Sequence, residues 1–247
     1  MKSAIKRSVR QSIRNFGFDI IKLGQMPLLR DRLSNLAKLG FESKVIVDGG
    51  AHKGKWTKTV SEFYPNSKFI LVEPNPTVYS KIDETLPKSI DYTVVKAALG
   101  AEKGTLQLNV WEGVDKDLVG SSLCDHIRGD ASTKVDCEVV PLDSLIDVYN
   151  EVPNFVKLDL QGYEIQALAG AKEILKHTEL MIIEFGLLDA YVDRTSVKDL
   201  INLMNDHDYS LYDVIDFHYR PYDNALTGGD FIFVKNSSKL KQYKGWE

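Results

Sequence analysis

A short apolar run, Val45-Ile46-Val47, breaks into Asp48-Gly49-Gly50-Ala51-His52-Lys53-Gly54, the segment best suited by composition to holding a ligand. Glycines let the backbone turn tightly and come close to a bound molecule, and a helix opening after Gly54 offers free N–H groups. Those donors suit a phosphate or a carboxylate equally. The next apolar run, Phe69-Ile70-Leu71-Val72, ends in Glu73. A carboxylate there can accept both hydroxyls of a ribose and would repel a ribose phosphate. The spacing excludes two common nucleotide sites. Ala51 and Lys53 disrupt a G-x-G-x-x-G dinucleotide register, and Gly54 leads into Lys55-Trp56 instead of the Lys-Ser/Thr of a phosphate loop.

An acid, a Gly-rich loop, a strand and a second acid fit an adenosyl ligand with a free ribose and a short zwitterionic tail. S-adenosylmethionine has that shape. Methyl transfer is an in-line displacement at a sulfonium, so positioning and desolvation carry much of it. A hydroxyl acceptor is a poor nucleophile and calls for a general base. The candidates are Asp159, which closes a later apolar run, His126 in a polar stretch, and His218 in a late loop. His177 and His207 fall near helix ends, where a cation helps cap carbonyls. Asp159, Glu184 and Asp189 could converge near the sheet's edge, but no tight acidic cluster marks the spot, and two cysteines, Cys124 and Cys137, cannot make a four-ligand zinc site, so no metal is expected. Trp56 reads as core; Tyr163, Tyr191, Tyr219 and Tyr222 are candidates to touch a ligand.

The elements that must position these residues alternate strand and helix from residue 44 onward. Runs at 45–47, 69–73, 92–97, 155–160 and 180–185 read as strands. Helices are expected at 55–64, from 77, from 162 to 175, and at 196–207 with Ser196 as N-cap. Segments 106–111 and 135–140 alternate like an inserted antiparallel pair around the polar stretch 112–134, and 209–214 with 231–234 close the sheet around a long loop. The expectation is an α/β fold, a doubly wound, mostly parallel seven-stranded sheet of Rossmann-like type. Ligands bind such sheets beyond the carboxyl ends of the strands, where the strand order reverses.

The 247 residues carry a net charge of −4, which conceals an asymmetry. Residues 1–40 hold nine basic side chains against Asp19 and Asp31, a net of +7, leaving −11 for the rest. Ile5, Val9, Ile13, Phe16 and Ile20 recur at helical spacing, and 28–39 forms a second amphipathic segment ending at Gly40. The expected organisation is a basic helical arm at 1–43, a catalytic domain at 44–236 with an insertion at 105–140, and a tail at 237–247. The chain is 43% hydrophobic, which excludes full disorder, and no apolar run approaches the roughly 20 residues of a membrane span. The arm could lie on an anionic membrane surface at its inner face, or pack on the domain or on a second subunit as a homodimer. Nucleic acid is not expected as a partner, because the positive charge stops at the arm. With reduced thiols, the expected location is cytoplasmic.

Six blocks occur in order: Val47 to Gly54, Val72-Glu73-Pro74-Asn75-Pro76, Ala97-Ala98-Leu99-Gly100, Gly120-Ser121-Ser122-Leu123, Leu142-Asp143-Ser144-Leu145, and Val156-Lys157-Leu158-Asp159-Leu160-Gln161-Gly162-Tyr163-Glu164. Together they resemble the FkbM family of S-adenosylmethionine-dependent methyltransferases, from residue 44 to about 185. The resemblance implies a class I methyltransferase fold and O-methylation of a hydroxyl on a sugar, glycan or secondary metabolite. It also implies a cofactor site built from Asp48, Gly49, Gly50, Ala51, His52 and Gly54, from Glu73, Pro74 and Asn75, and from Ser122 and Asp159. Two positions depart from the family pattern: Gln161 stands where Glu is usual, and His52 where Asn is more usual. Rival readings are a non-catalytic cofactor-binding module of the same fold, a methyltransferase for a nitrogen or protein acceptor, and a Rossmann dehydrogenase.

Overall fold

The computed structural model of the chain describes residues 28–111, 120–125, 132–188 and 195–242. A seven-stranded sheet forms the centre. Its strands are β1 (Val45–Gly49), β2 (Lys68–Val72), β3 (Asp91–Val95), β8 (Phe155–Leu158), β9 (Leu180–Gly186), β10 (Tyr209–Tyr219) and β11 (Leu226–Lys235), in the order β10-β11-β9-β8-β1-β2-β3. Neighbours from β3 to β9 pair in parallel, while β11 runs antiparallel to both β9 and β10. The chain starts at β1 in the middle, winds out to β3, then crosses back to β8 on the other side. The crevice between β1 and β8 is therefore the reversal point of the sheet.

The central strands are aliphatic throughout because both faces are covered. Val45 and Val47 point into one core with Val156, Met181 and Phe233, under α5 (Glu164–Ala169), α6 (Lys172–His177) and α7 (Val197–Asp206). Ile46 points the other way, with Phe69, Phe155 and Ile182, under α1 (Leu29–Lys38), α2 (Lys55–Ser61) and α3 (Tyr79–Thr85). Helix α1 belongs to this second layer. Leu29, Leu33 and Leu36 are buried in it, and Arg32 pairs with Asp213 of β10 at 2.6 Å. Gly40, at φ +82°, ends the segment as its C-cap residue type predicts. The first amphipathic segment, Ile5 to Ile20, lies outside the described residues.

A smaller sheet stands over one edge: β4 (Ala98–Gly100), β5 (Gly104–Trp111), β6 (Gly120–Ser122) and β7 (Thr133–Pro141), in the order β4-β7-β5-β6. The expected antiparallel pair is β5 with β7, and β4 and β6 enlarge it to four strands. The expected third strand splits, since β3 ends at Val95 and β4 leaves for the second sheet.

Two further expectations change. The helix expected up to residue 175 is two helices, because the Gly170 carbonyl accepts the Asp143 N–H while the Ile174 N–H that would have met it goes to the Asp143 carboxylate; Gly170 also lies against the Gly100 carbonyl, where a Cβ would come within 2.3 Å. The long loop expected at 216–229 is mostly strand. β10 and β11 run on through it with shifts of register near Asp213 and His218, leaving only a turn closed by the Arg220–Asp223 pair. His218 is thus an exposed strand residue rather than a loop residue.

Asp143, from one of the ordered sequence blocks, accepts the Glu173 and Ile174 N–H groups at 2.9 and 2.9 Å and so caps the start of α6. Asp143→Ala is expected to cost about 1 kcal/mol of folding stability, measured by urea unfolding, with little change at the strand ends described next.

Candidate active site at the carboxyl ends of β1, β2 and β8

Asp48 ends β1 fully buried, and its Oδ2 accepts the Thr57 hydroxyl of α2 at 2.6 Å. Its other oxygen faces the Lys157 ammonium at 3.3 Å. Lys157 comes from β8, is 5% exposed, and lies 3.1 Å from Asp159 Oδ2 and 3.5 Å from the Gly50 carbonyl. Burial alone would lower the Lys157 pKa, but the carboxylates of Asp159 and Asp48 outweigh it and hold the ammonium charged. Asp159 mirrors this: burial would raise its carboxyl, while Lys157 and Gln161 keep it below the usual range. The strand ends approach so closely that a Cβ on Gly50 (φ +76°) would sit 2.0 Å from the Asp159 carbonyl oxygen, so only glycine fits there.

Glu73 stitches the loop after β1 to the loop after β2. One oxygen accepts the His52 N–H at 2.7 Å and the other the Asn75 N–H at 2.8 Å. Burial dominates its environment and pushes its carboxyl up to about 7. Asn75 Oδ1 accepts Thr77 N–H and hydroxyl, closing the turn that opens the next helix. Two buried nitrogens here, His52 Nε2 and Asn75 Nδ2, have no hydrogen-bond partner among the described residues. Burial, then Lys53, lowers the His52 pKa, leaving its imidazole neutral.

Gln161 links three parts of the molecule. Its Nε2 donates to Asp159 Oδ1 at 2.8 Å and to Glu184 Oε2 at 3.0 Å, and its carbonyl accepts the Ser122 hydroxyl of β6 at 2.9 Å. It does so from the left-handed region, at φ 55°. Glu164 supports the turn by accepting the Leu160 and Gly162 N–H groups.

These groups surround a cavity of about 370 Å³. Gly50, His52, Glu73 and Pro74 line it from the loops after β1 and β2, and Asp159, Gln161 and Tyr163 from the loop after β8. The smaller sheet forms a roof through Leu99, Leu108, Ser122 and Leu123. Of the residues singled out by sequence, Gly50, His52, Glu73, Pro74, Ser122, Asp159 and Tyr163 face this space. Asp48, Gly49, Ala51, Gly54 and Asn75 are not among the lining residues: a Cβ on Gly49 would meet Leu99 and Leu158, and one on Gly54 would meet Leu86 of the second core layer. His218, Tyr219 and Tyr222 are exposed and are not among the lining residues. His126, Tyr191 and Asp189 lie outside the described residues. Among the described residues no group of three His, Cys, Asp or Glu side chains could hold a metal ion. Sequence reasoning passed over Lys157 and Asp230 as members of this region, whereas Glu184, named with Asp159 from sequence, does meet it through Gln161. The signal for Lys157 was present: a charge inside an apolar buried strand needs a partner.

The family model for the methyltransferase FkbM domain matches residues 48–211, which spans every strand end just described. The chain belongs to the FkbM methyltransferase family. Within the wider set of similar proteins, the 2-O-methyltransferase NoeI of Sinorhizobium fredii (strain NBRC 101917 / NGR234) is 22% identical over 217 residues, covering 83% of this chain and 88% of that protein. Methyltransferase sdnD of Sordaria araneosa is 27% identical over 165 residues, 55% of this chain and 62% of that one. Among solved structures, Aeropyrum pernix fibrillarin in complex with natively bound S-adenosyl-L-methionine is 12% identical, with a TM-score of 0.47, covering 82% of this chain and 74% of that chain. This FkbM chain is a methyltransferase with a mostly parallel α/β sheet, and no helix among its described residues is long and apolar enough to cross a membrane.

Removing the Lys157 ammonium would leave the fully buried Asp48 carboxylate without its counter-charge, facing the partly exposed Asp159. Lys157→Met is therefore expected to destabilise the fold by about 3–5 kcal/mol, read as a lowered midpoint in urea unfolding.

Proposed function

We propose that the cavity binds S-adenosylmethionine and that the enzyme transfers its methyl group to a hydroxyl of a sugar, glycan or secondary metabolite. The observation that carries the cofactor reading is the Glu73 lip. A buried carboxylate, fixed by two backbone N–H groups, stands beside His52 Nε2, which has no hydrogen-bond partner among the described residues, next to the reversal point of the sheet. Carboxylate oxygens retain lone pairs for ribose hydroxyls, and the imidazole nitrogen has a bond still to make. The cavity volume falls in the range of small-molecule sites, roughly 300–1,000 Å³. Apolar walls from Val72, Pro74, Ala97 and Leu99 suit a flat purine beside that lip.

When bound, S-adenosylmethionine supplies an electrophilic methyl group on a sulfonium. The chain's own contribution is placement and exclusion of water. Gly50 and Gln161 bring two backbone turns against the ligand space, and the roof strands shield it. Asp159 would accept the acceptor's hydroxyl proton at its carboxylate as the methyl group passes from sulfur to oxygen, its S–C bond breaking as the O–C bond forms. An oxygen acceptor is favoured by the 2-O specificity in the name of NoeI and by the sequence after the fourth parallel strand. There, Asp159-Leu160-Gln161-Gly162 stands in place of an Asp/Asn-Pro-Pro-Tyr-like block suited to nitrogen acceptors.

Isothermal titration of the purified chain tests the cofactor reading. S-adenosylmethionine should bind, and Glu73→Ala should weaken binding by about tenfold or more. Absence of binding, or equal affinity in the variant, would sink the proposal. Asp159→Asn tests the base. Transfer of labelled methyl to a panel of glycans, measured at saturating cofactor, should fall by about 10²–10⁴-fold; a binding module would show no transfer even in the unmodified chain.

A further inference from the structure

Three carboxyl groups line up across adjacent strands behind the cavity. Leu158 is in register with Ile183, so Asp159, the next residue, stands level with Glu184 of β9. Glu184 is in turn the direct register partner of Asp230 on β11, which places their side chains on the same face of the sheet. One Gln161 nitrogen donates to both Asp159 and Glu184, so the first two groups are within a shared hydrogen-bond span. Among the described residues, the groups facing Glu184 are Asp159 and Gln161 from the loop after β8, Asp230 from β11 and Glu164 from α5, while Lys157 of β8 acts on Asp159 and Asp230. Asp230 also feels Asp216 of β10. The only cation in this set is Lys157, and Asp48 already shares it. Like charges this close and partly withdrawn from water disfavour one another's ionisation, so the row retains protons. Burial and then Asp159 hold Glu184 well above the carboxylate range, and the same two causes push Asp230 up to about 7.

Of the row, Asp159 alone lines the cavity. A positive charge in the cavity adjoins its carboxylate and, through it, the excess of acids behind. We infer that Glu184 and Asp230, acting through Asp159 and Gln161, make the site discriminate by charge, binding a cationic sulfonium cofactor with release of a proton from the row and favouring it over its neutral thioether product. This rests on the S-adenosylmethionine reading above and deepens it. The two ligands share adenine, ribose and amino-acid groups, so every other contact, including the titration of Glu73, weighs on both alike. The difference between them isolates the sulfonium. A cation favours the ionised form of the row, so preference for it grows as pH rises and is lost as the row takes up protons. Demethylation then removes the charge that held the row ionised, a proton returns, and the product leaves more readily.

The experiment is calorimetric titration of the full chain with S-adenosylmethionine and with S-adenosylhomocysteine, from roughly pH 6 to 8, in buffers of different ionisation enthalpy. The ratio of the two affinities should rise with pH by about tenfold, with more protons released for the sulfonium ligand. Glu184→Gln and Asp230→Asn should each flatten that ratio while both ligands still bind. Sinefungin, which carries an amine in place of the sulfonium, should follow the cationic cofactor in the unmodified chain, a check that needs no variant to fold. Binding of both ligands with a constant ratio, or variants that keep the full pH dependence, overturns the inference and leaves the cofactor reading intact. Failure of either ligand to bind overturns the cofactor reading itself.

Discussion

The Lys157 ammonium lies buried between the Asp48 and Asp159 carboxylates, and the three groups depend on one another for their charge. An isolated ion in that position would be expelled or neutralised, since the desolvation cost of burying it alone is several kcal/mol. Held together, they pin the ends of β1 and β8 at the place where the sheet reverses. The Gly50 turn can then lie against the Asp159 backbone, with no room for a Cβ. Because β1 is fixed there, the loop after it reaches the Glu73 carboxylate, and the loop after β2 reaches the same carboxylate from the other side. The walls of the cavity thus follow from one buried ionic contact and one glycine.

The central sheet was readable from sequence because its strands are buried on both faces and so appear as continuous aliphatic runs, such as Val45-Ile46-Val47 and Phe69 to Val72. Glycine placement was readable for the same kind of reason: Gly50 and Gly40 adopt backbone angles that other residues rarely hold. What escaped depends on strand order. Nothing local says that β11 inserts between β9 and β10, and without that Glu184 and Asp230 have no reason to meet. The end of β10 was hidden too, because an edge strand interrupted by bulges and carrying Asp213, Asp216 and His218 lacks the clean alternation of a half-buried strand. Gly170 read as a helix interior residue because its true constraint, the Gly100 carbonyl, is 70 residues away in the chain.

The departure at Gln161 takes on a definite physical meaning. An amide in that place gives each of two neighbouring carboxylates a donor from one nitrogen. A carboxylate there would offer no donor unless protonated and would add a further acid to a region with a single ammonium. The residue also holds a left-handed conformation and receives the Ser122 hydroxyl, so it ties the strand ends to the roof. Strain of this kind is tolerated where neighbouring groups fix the backbone from several directions.

The roof has a small interior of its own: Ala98, Leu108, Val110, Cys137 and Val139 pack together, apart from the two layers that flank the main sheet. Asn109 fastens its loops, bonding to the Cys124 carbonyl and Asp125 on one side and Ser132 on the other. A unit that is stabilised from within can exchange its outward strands and loops without loosening the layers beneath. The fold therefore divides heritable change unevenly: the strand ends of the floor are held by buried charge and close backbone contact, while the roof is tied to them through Leu99 and Val140 and keeps its outward positions under fewer constraints.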